Sequence, residues 1–140
     1  MKKLFILPLL ALLVFFSSCK KEYITQVTPS KTIYQDIKIT DWVYDATDKT
    51  YYTKNIDLTN DINTVEYADG AISVAVDFNG ATHNYEALPQ VYNGYSYTYF
   101  YYNGILKLGV GDAYNQSIPG LPFSGTITAK ITLIPATYVP

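Results

Sequence analysis

The fold is decided by the stretch from Tyr95 to Asp112, which reads YSYTYFYYNGILKLGVGD. Two β-prone runs flank Asn103-Gly104, and an Asn-Gly pair favours a two-residue type I′ turn because both of its central residues need positive φ. A turn of this length fixes the register of the two strands. It predicts that Tyr102 faces Ile105 and that this pairing continues back along both strands.

Side chains alternate between the two faces of a strand, so the register also predicts which residues share a face. The face predicted to enter the core carries Tyr97, Tyr99 and Tyr101 with Leu106, Leu108 and Val110. The opposite face carries Phe100, Tyr102 and Lys107 beside a shallow floor at Gly109 and Gly111. We take Phe100, Tyr102 and Lys107 as a candidate binding face, with cover by a second sheet or a loop as the alternative.

The remainder of the chain has the same β character. Alternating apolar residues predict strands near residues 33–44, 51–58, 71–78, 81–88 and 124–134. The apolar residues change from odd to even positions at Thr40-Asp41, and this parity shift predicts a bulge. One helical turn is predicted after Thr59. A second Asn-Gly pair, Asn79-Gly80, predicts a hairpin that places Asp77 opposite Thr82 and Val76 opposite His83.

Many short strands with frequent turn signals are typical of an all-β domain. The sequence predicts a single antiparallel β-sandwich of about seven strands over residues 32–140, with at most one short helical turn. A flattened β-barrel is the alternative architecture.

The first eighteen residues are predicted to be a signal peptide. Lys2 and Lys3 precede an apolar run from Leu4 to Phe16, and small residues follow. The run is shorter than the roughly 20 residues of a membrane-spanning helix. Cys19, the only cysteine, stands directly after Ser17-Ser18, so we predict that it is lipidated. Residues 19–31 are predicted to form the lipid anchor and tether, with an edge strand over residues 22–30 as the alternative.

The charge of the mature chain disfavours nucleic acid as a partner. Loss of residues 1–18 leaves eight lysines against twelve acidic residues, a net charge of −4, without any arginine. No basic stripe is therefore present to displace counterions from phosphates. With Cys19 lipidated no thiol remains, so no disulfide is expected.

The sequence carries no recognisable catalytic set, and we predict neither an enzyme nor a cofactor. His83 is the only histidine and lies on a predicted strand.

Two groups of oxygen-bearing side chains are candidate calcium ligands, but neither has the spacing of a calcium-binding loop, so no metal site is predicted. The groups are Asp57, Asn60, Asp61 and Asn63, and Asp41, Asp45 and Asp48.

Fifteen tyrosines favour binding of a glycan or a protein, because tyrosine combines a rigid apolar ring with a polar tip. Besides Phe100 and Tyr102, exposed rings are expected at Tyr92 and Tyr114.

Two parts of the chain resemble known sequences. Phe16-Ser17-Ser18-Cys19 resembles a lipobox with Phe in place of the usual Leu or Val, and Lys20-Lys21-Glu22 is similar to the charged leader of surface-exposed Bacteroidota lipoproteins. The body resembles the C-terminal β domain of small Bacteroidota lipoproteins, some of which carry a collagen-like segment that this chain lacks. The matching residues are Asp41-Trp42-Val43, Tyr51-Tyr52, Leu58-Thr59, Ile62, Val65, Gly70-Ala71-Ile72 and Ala87-Leu88-Pro89. The resemblance implies the β fold and the location of an outer-membrane lipoprotein displayed at the cell surface. The export signal with Cys19, the tether, the acidic charge and the lack of a catalytic set predict a structural or interaction module. A carbohydrate-binding module that uses the exposed aromatic residues of the Tyr95–Asp112 hairpin is the alternative.

Overall fold

The computed structural model describes residues 28–62, 65–80 and 82–136. The predicted signal peptide, Cys19 and most of the predicted tether lie outside these residues.

The described chain is built almost entirely from strands. The strands are β1 (Lys31–Lys38), β2 (Trp42–Asp45), β3 (Thr50–Thr53), β4 (Ile56–Asp57), β5 (Ala71–Asp77), β6 (Glu86–Ala87), β7 (Gln90–Tyr92), β8 (Tyr95–Tyr102), β9 (Ile105–Asp112) and β10 (Thr126–Ile134). A 3₁₀ turn covers Ile39–Asp41, and one helical turn, α1, covers Val65–Ala68.

The strands form two antiparallel sheets that do not close into a barrel. Sheet A has the order β1-β10-β5-β6, and sheet B has the order β2-β3-β9-β8-β7 with β4 also paired to β9. The predicted sandwich is thus confirmed and the barrel alternative is wrong. The structure has ten strands where about seven were expected, because turns divide two of the predicted strands and β6 and β7 are very short.

The central hairpin has the predicted register along its whole length. Tyr102 lies opposite Ile105, and the pairing runs back to Tyr95 opposite Asp112. Asn103 and Gly104 have φ values of 47° and 80°, as a type I′ turn requires.

The core lies between the inner faces of the two sheets. Sheet B contributes Tyr97, Leu106, Leu108 and Val110, which are buried, and sheet A contributes Val74, Val76, Ile127, Ala129, Ile131 and Leu133. Phe78 joins the sheets, with its ring centroid 4.8 Å from that of Tyr97 and 5.8 Å from that of Phe123. Tyr101 was predicted to lie in the core but is 36% exposed. It stands near the tip of the hairpin, where the facing strands give less cover.

The parity shift at Thr40-Asp41 marks a crossing between sheets rather than a bulge within one strand. The 3₁₀ turn carries the chain from the edge strand β1 of sheet A to the edge strand β2 of sheet B. The Asp41 carboxylate fixes this turn by accepting hydrogen bonds from the Lys38 backbone N–H at 3.1 Å and from Lys54 Nζ at 2.9 Å.

The hairpin predicted at Asn79-Gly80 is wrong. β5 pairs instead with β6, placing Val76 opposite Glu86, so that residues 78–80 and 82–85, which we call the 78–85 loop, lie outside the strands. The Asp77 carboxylate organises this loop by accepting hydrogen bonds from the backbone N–H of Asn79 at 2.9 Å and from the N–H and hydroxyl of Thr82, both at 3.0 Å. These bonds compete with the strand pairing that a two-residue turn would need.

A hairpin that was not predicted from the sequence joins β7 to β8. Tyr92 pairs with Tyr95 across Asn93-Gly94, whose φ values are 49° and 79°. The same Asn-Gly signal that fixed the central hairpin was present here.

The described chain begins at the end of the sandwich that holds the tip of the central hairpin. The Tyr67 hydroxyl donates a 2.7 Å hydrogen bond to the Pro29 carbonyl, and Lys31 Nζ lies 2.6 Å from an Asp61 oxygen. Three residues before Asp61, the Leu58 N–H donates a 2.8 Å hydrogen bond to the carbonyl of Gly104 at the hairpin tip. Within the described residues, no helix has the length and apolar character needed to cross a membrane.

Candidate functional site

The outer face of sheet B carries an open depression that we call the outer groove. Its central part has a volume of about 370 Å³ and is lined by Asp45, Asp48, Tyr52, Phe100, Tyr102 and Lys107. All three residues of the predicted binding face therefore line it. Phe100 and Tyr102 are 49% and 53% exposed, so no second sheet or loop of the described chain covers them.

Strand pairing brings the groove residues together from distant parts of the sequence. Phe100 lies opposite Lys107 across β8 and β9. Tyr52 on β3 lies opposite Gly109 on one side and opposite Val43 of β2 on the other. Side chains from β2, β3, β9 and β8 thus form one continuous surface.

The glycines do not form the open floor that the sequence predicted. A Cβ built on Gly109 would lie 2.8 Å from Thr98 Oγ1 and 3.1 Å from Tyr52 Cε1. The Tyr52 and Phe100 rings fill this space and meet edge to face, with centroids 5.7 Å apart and planes at 67°. Gly109 is buried, and its lack of a side chain lets the two rings form the inner wall of the groove.

A hydrogen bond holds the Tyr52 ring in place. The Tyr52 hydroxyl donates to Asp48 Oδ2 at 3.0 Å, and the Thr50 hydroxyl donates to the Asp48 carbonyl at 3.0 Å. Burial and the adjacent Asp48 carboxylate together raise the pKa of the Tyr52 hydroxyl. Tyr52 therefore stays protonated at neutral pH and keeps its ring orientation.

Charged groups of both signs stand beside the rings. Asp45 Oδ1 accepts a 2.8 Å hydrogen bond from the Thr47 backbone N–H, which helps to hold the pKa of that carboxyl below its usual value. Within the described residues Lys107 forms neither an ion pair nor a side-chain hydrogen bond. The groove thus offers carboxylate acceptors and ammonium donors to a ligand.

A second depression extends the groove toward β2. It has a volume of about 520 Å³ and shares Asp45, Tyr52 and Lys107 with the first, adding Val43, Tyr44, Ala46, Thr53 and Lys54. The groove crosses four adjacent strands, a width of about 14 Å at normal strand spacing.

The other candidate residues lie elsewhere. His83 is exposed on the 78–85 loop of sheet A, not on a strand opposite Val76. Tyr92 and Tyr114 are 59% and 79% exposed but do not line the groove.

The acidic residues considered for calcium are engaged in local structure. Asp57 accepts hydrogen bonds from the N–H and hydroxyl of Thr59, while Asp61 and Asp41 pair with lysines. Asn63 lies outside the described residues. Across residues 28–62, 65–80 and 82–136, no group of three or more His, Cys, Asp or Glu side chains converges as a metal site would require.

Comparison with protein-family models, with curated proteins and with solved structures found no match.

Proposed function

We propose that this chain is a lipid-anchored lipoprotein of the outer membrane, exposed at the cell surface, whose β-sandwich is a non-catalytic binding module. The outer groove is its binding surface. The observation that carries the proposal is that Phe100 and Tyr102 stay about half exposed beside ordered polar groups, although the domain has a complete core elsewhere. Neighbouring uncovered aromatic side chains that share one groove with polar groups are typical of an interaction surface, whereas singly exposed rings are not.

The sequence before the domain supports the anchor. A positive start, a short apolar run and Ser17-Ser18-Cys19 are the pattern of an exported lipoprotein, and the body resembles domains of such proteins. The chain enters the sandwich at Pro29, at the end that holds the hairpin tip. The groove lies on the outer face of sheet B and runs from Tyr102, beside that tip, to Asp45 at the other end of the strands, so most of it lies away from an anchor at the tip.

The chemistry of the groove supports a role without catalysis. A hydrolase with paired carboxylates needs one acid with a raised pKa, whereas the hydrogen bond from the Thr47 N–H helps to lower the pKa of Asp45. The only histidine, His83, lies on a loop of the other sheet.

Two introduced thiols with matched exposure test the binding surface. Val43 lines the groove and is 60% exposed, while Tyr34 lies on the outer face of sheet A and is 59% exposed. We expect a membrane-impermeant maleimide to label Val43→Cys more slowly on intact cells than in purified protein, and to label Tyr34→Cys equally in both. Equal labelling of Val43→Cys in both settings would overturn the proposed binding surface, and no labelling of Tyr34→Cys on cells would overturn surface exposure.

The anchor is tested by metabolic labelling with a fatty acid. Full-length protein should incorporate the label, and Cys19→Ala should not. Equal incorporation by both would contradict lipidation at Cys19.

A further inference from the structure

We propose that the outer groove binds a neutral polysaccharide chain. This inference rests on the proposed binding role of the groove and adds the chemical class of the ligand. It is supported by the arrangement of the rings, by the mixture of charges beside them and by the width of the groove.

The rings provide apolar contact for sugars. One face of a sugar ring is formed by C–H groups, which pack against aromatic rings, and Phe100 and Tyr102 expose about half of their surface for such contact. Tyr52 stands edge-on to Phe100 and is held by Asp48, so these two rings form a fixed corner. Little side-chain entropy is then lost when a ligand binds.

The charged groups favour a neutral polyhydroxyl ligand over a protein. Lys107 lies on the central strand β9 opposite Phe100, whereas the centres of protein interfaces are depleted in lysine. Asp45 and Asp48 lie on the other side of Tyr52, at the end of β2 and in the turn that follows it. Sugar hydroxyls can donate to the carboxylates and accept from the ammonium group without bringing a charge of their own. A polyanionic glycan would be repelled by the two carboxylates and by the net charge of −4 on the mature chain.

The width of the groove across the sheet favours a chain over a single sugar. The two depressions share Asp45, Tyr52 and Lys107 and together cross four strands, about 14 Å, which exceeds the length of one sugar ring.

Isothermal titration of the full-length lipoprotein in detergent micelles tests the inference. The probes are dextran, a β-glucan, mannan and galactan as neutral polymers, with polygalacturonate as an anionic polymer. We expect at least one neutral polymer to bind and polygalacturonate not to bind. Phe100→Ala and Tyr102→Ala should each weaken binding by roughly tenfold, because each removes one stacked ring.

Tyr34→Ala is the control, since it removes a ring of similar exposure from the other sheet and should leave binding unchanged. If no neutral polymer binds while Val43→Cys is still protected on cells, the ligand is of another class, such as a protein, and only the glycan inference is overturned. If Val43→Cys is also labelled equally on cells and in purified protein, the proposed binding surface is overturned as well. Equal weakening by Tyr34→Ala and Phe100→Ala would likewise overturn the assignment to the outer groove.

Discussion

The Tyr99 hydroxyl donates a 2.9 Å hydrogen bond to the Ile72 carbonyl and thereby joins the central hairpin to sheet A. Tyr99 lies opposite Leu108 and packs against the buried core, whereas its neighbour Phe100 points to the outer groove. Adjacent aromatic residues on one strand therefore serve two purposes, one in stability and one on the exposed surface.

Two substitutions of Tyr99 separate the contribution of its hydrogen bond to stability from that of its packed ring. Tyr99→Phe removes only the hydrogen bond and should lower the free energy of unfolding by about 1 kcal/mol. Tyr99→Ala also removes the packed ring and should cost about 3 kcal/mol, a fall in Tm of roughly 10 °C. Thermal melts of both variants measure the difference.

Phe100→Ala is the comparison on the opposite face. Its ring is about half exposed, so the loss should be within about 1 kcal/mol, arising from contact with Tyr52. A Phe100→Ala protein that melts below Tyr99→Ala would show that the hairpin faces are assigned backwards.

Two Asn-Gly turns offer a matched test of the hairpin tip. Gly104 and Gly94 have φ values of 80° and 79°, so alanine is strained equally at both. A Cβ on Gly104 would also lie 2.5 Å from Thr59 Cγ2, while nothing lies within 4 Å of a Cβ on Gly94. We expect Gly104→Ala to destabilise the domain by about 1 kcal/mol more than Gly94→Ala. Equal unfolding midpoints in urea would show that the contact with Thr59 is unimportant.

The absence of a side chain at Gly109 should matter for the groove. Gly109→Ala would force Thr98 and the Tyr52 ring to move, costing about 1 to 2 kcal/mol and displacing the wall that Phe100 shares. Gly120→Ala is the control, because a Cβ there meets nothing within 4 Å and no positive φ is required. Urea unfolding should separate the two variants, and the β-glucan, mannan, dextran or galactan that binds wild type should bind Gly109→Ala more weakly. Unchanged stability and binding in Gly109→Ala would contradict the described packing.

The central hairpin could be predicted because its information is local. Asn103-Gly104 sets the turn, the turn sets the register, and alternation then separates Phe100 from Tyr99. Asn79-Gly80 has the same backbone preference but does not form a two-residue hairpin turn, because the Asp77 carboxylate accepts hydrogen bonds from N–H groups of the loop.

The part of the groove formed by Tyr52 and Asp48 could not be predicted, because it depends on a long-range strand pairing. Tyr52 reaches Phe100 only because β3 pairs with β9 in a register that places Tyr52 opposite Gly109, far away in sequence. No local turn specifies that pairing. Asp48 then enters the site through its hydrogen bond to Tyr52, so its contribution depends on the same long-range contact.

Acid should loosen the 78–85 loop through Asp77. Burial of this carboxyl raises its pKa, but hydrogen bonds from Asn79 and Thr82 outweigh that effect, and the net pKa is lowered. A group with a lowered folded pKa stabilises the protein above its unfolded pKa, near 3.9, and the contribution is lost as the pH falls through the folded pKa. Asparagine cannot take up this proton, and it keeps only one acceptor oxygen.

Asp77→Asn should therefore be less stable than wild type at pH 7 and should lose less Tm between pH 7 and about pH 3. Amide hydrogen exchange gives the local readout, because the N–H groups of Asn79 and Thr82 are bound directly by the carboxylate. Their exchange should accelerate in the variant, while the Thr59 N–H, which is bound by Asp57, keeps its wild-type protection. A variant with the full wild-type loss of Tm on acidification, or with unchanged protection at Asn79 and Thr82, would show that Asp77 does not organise this loop.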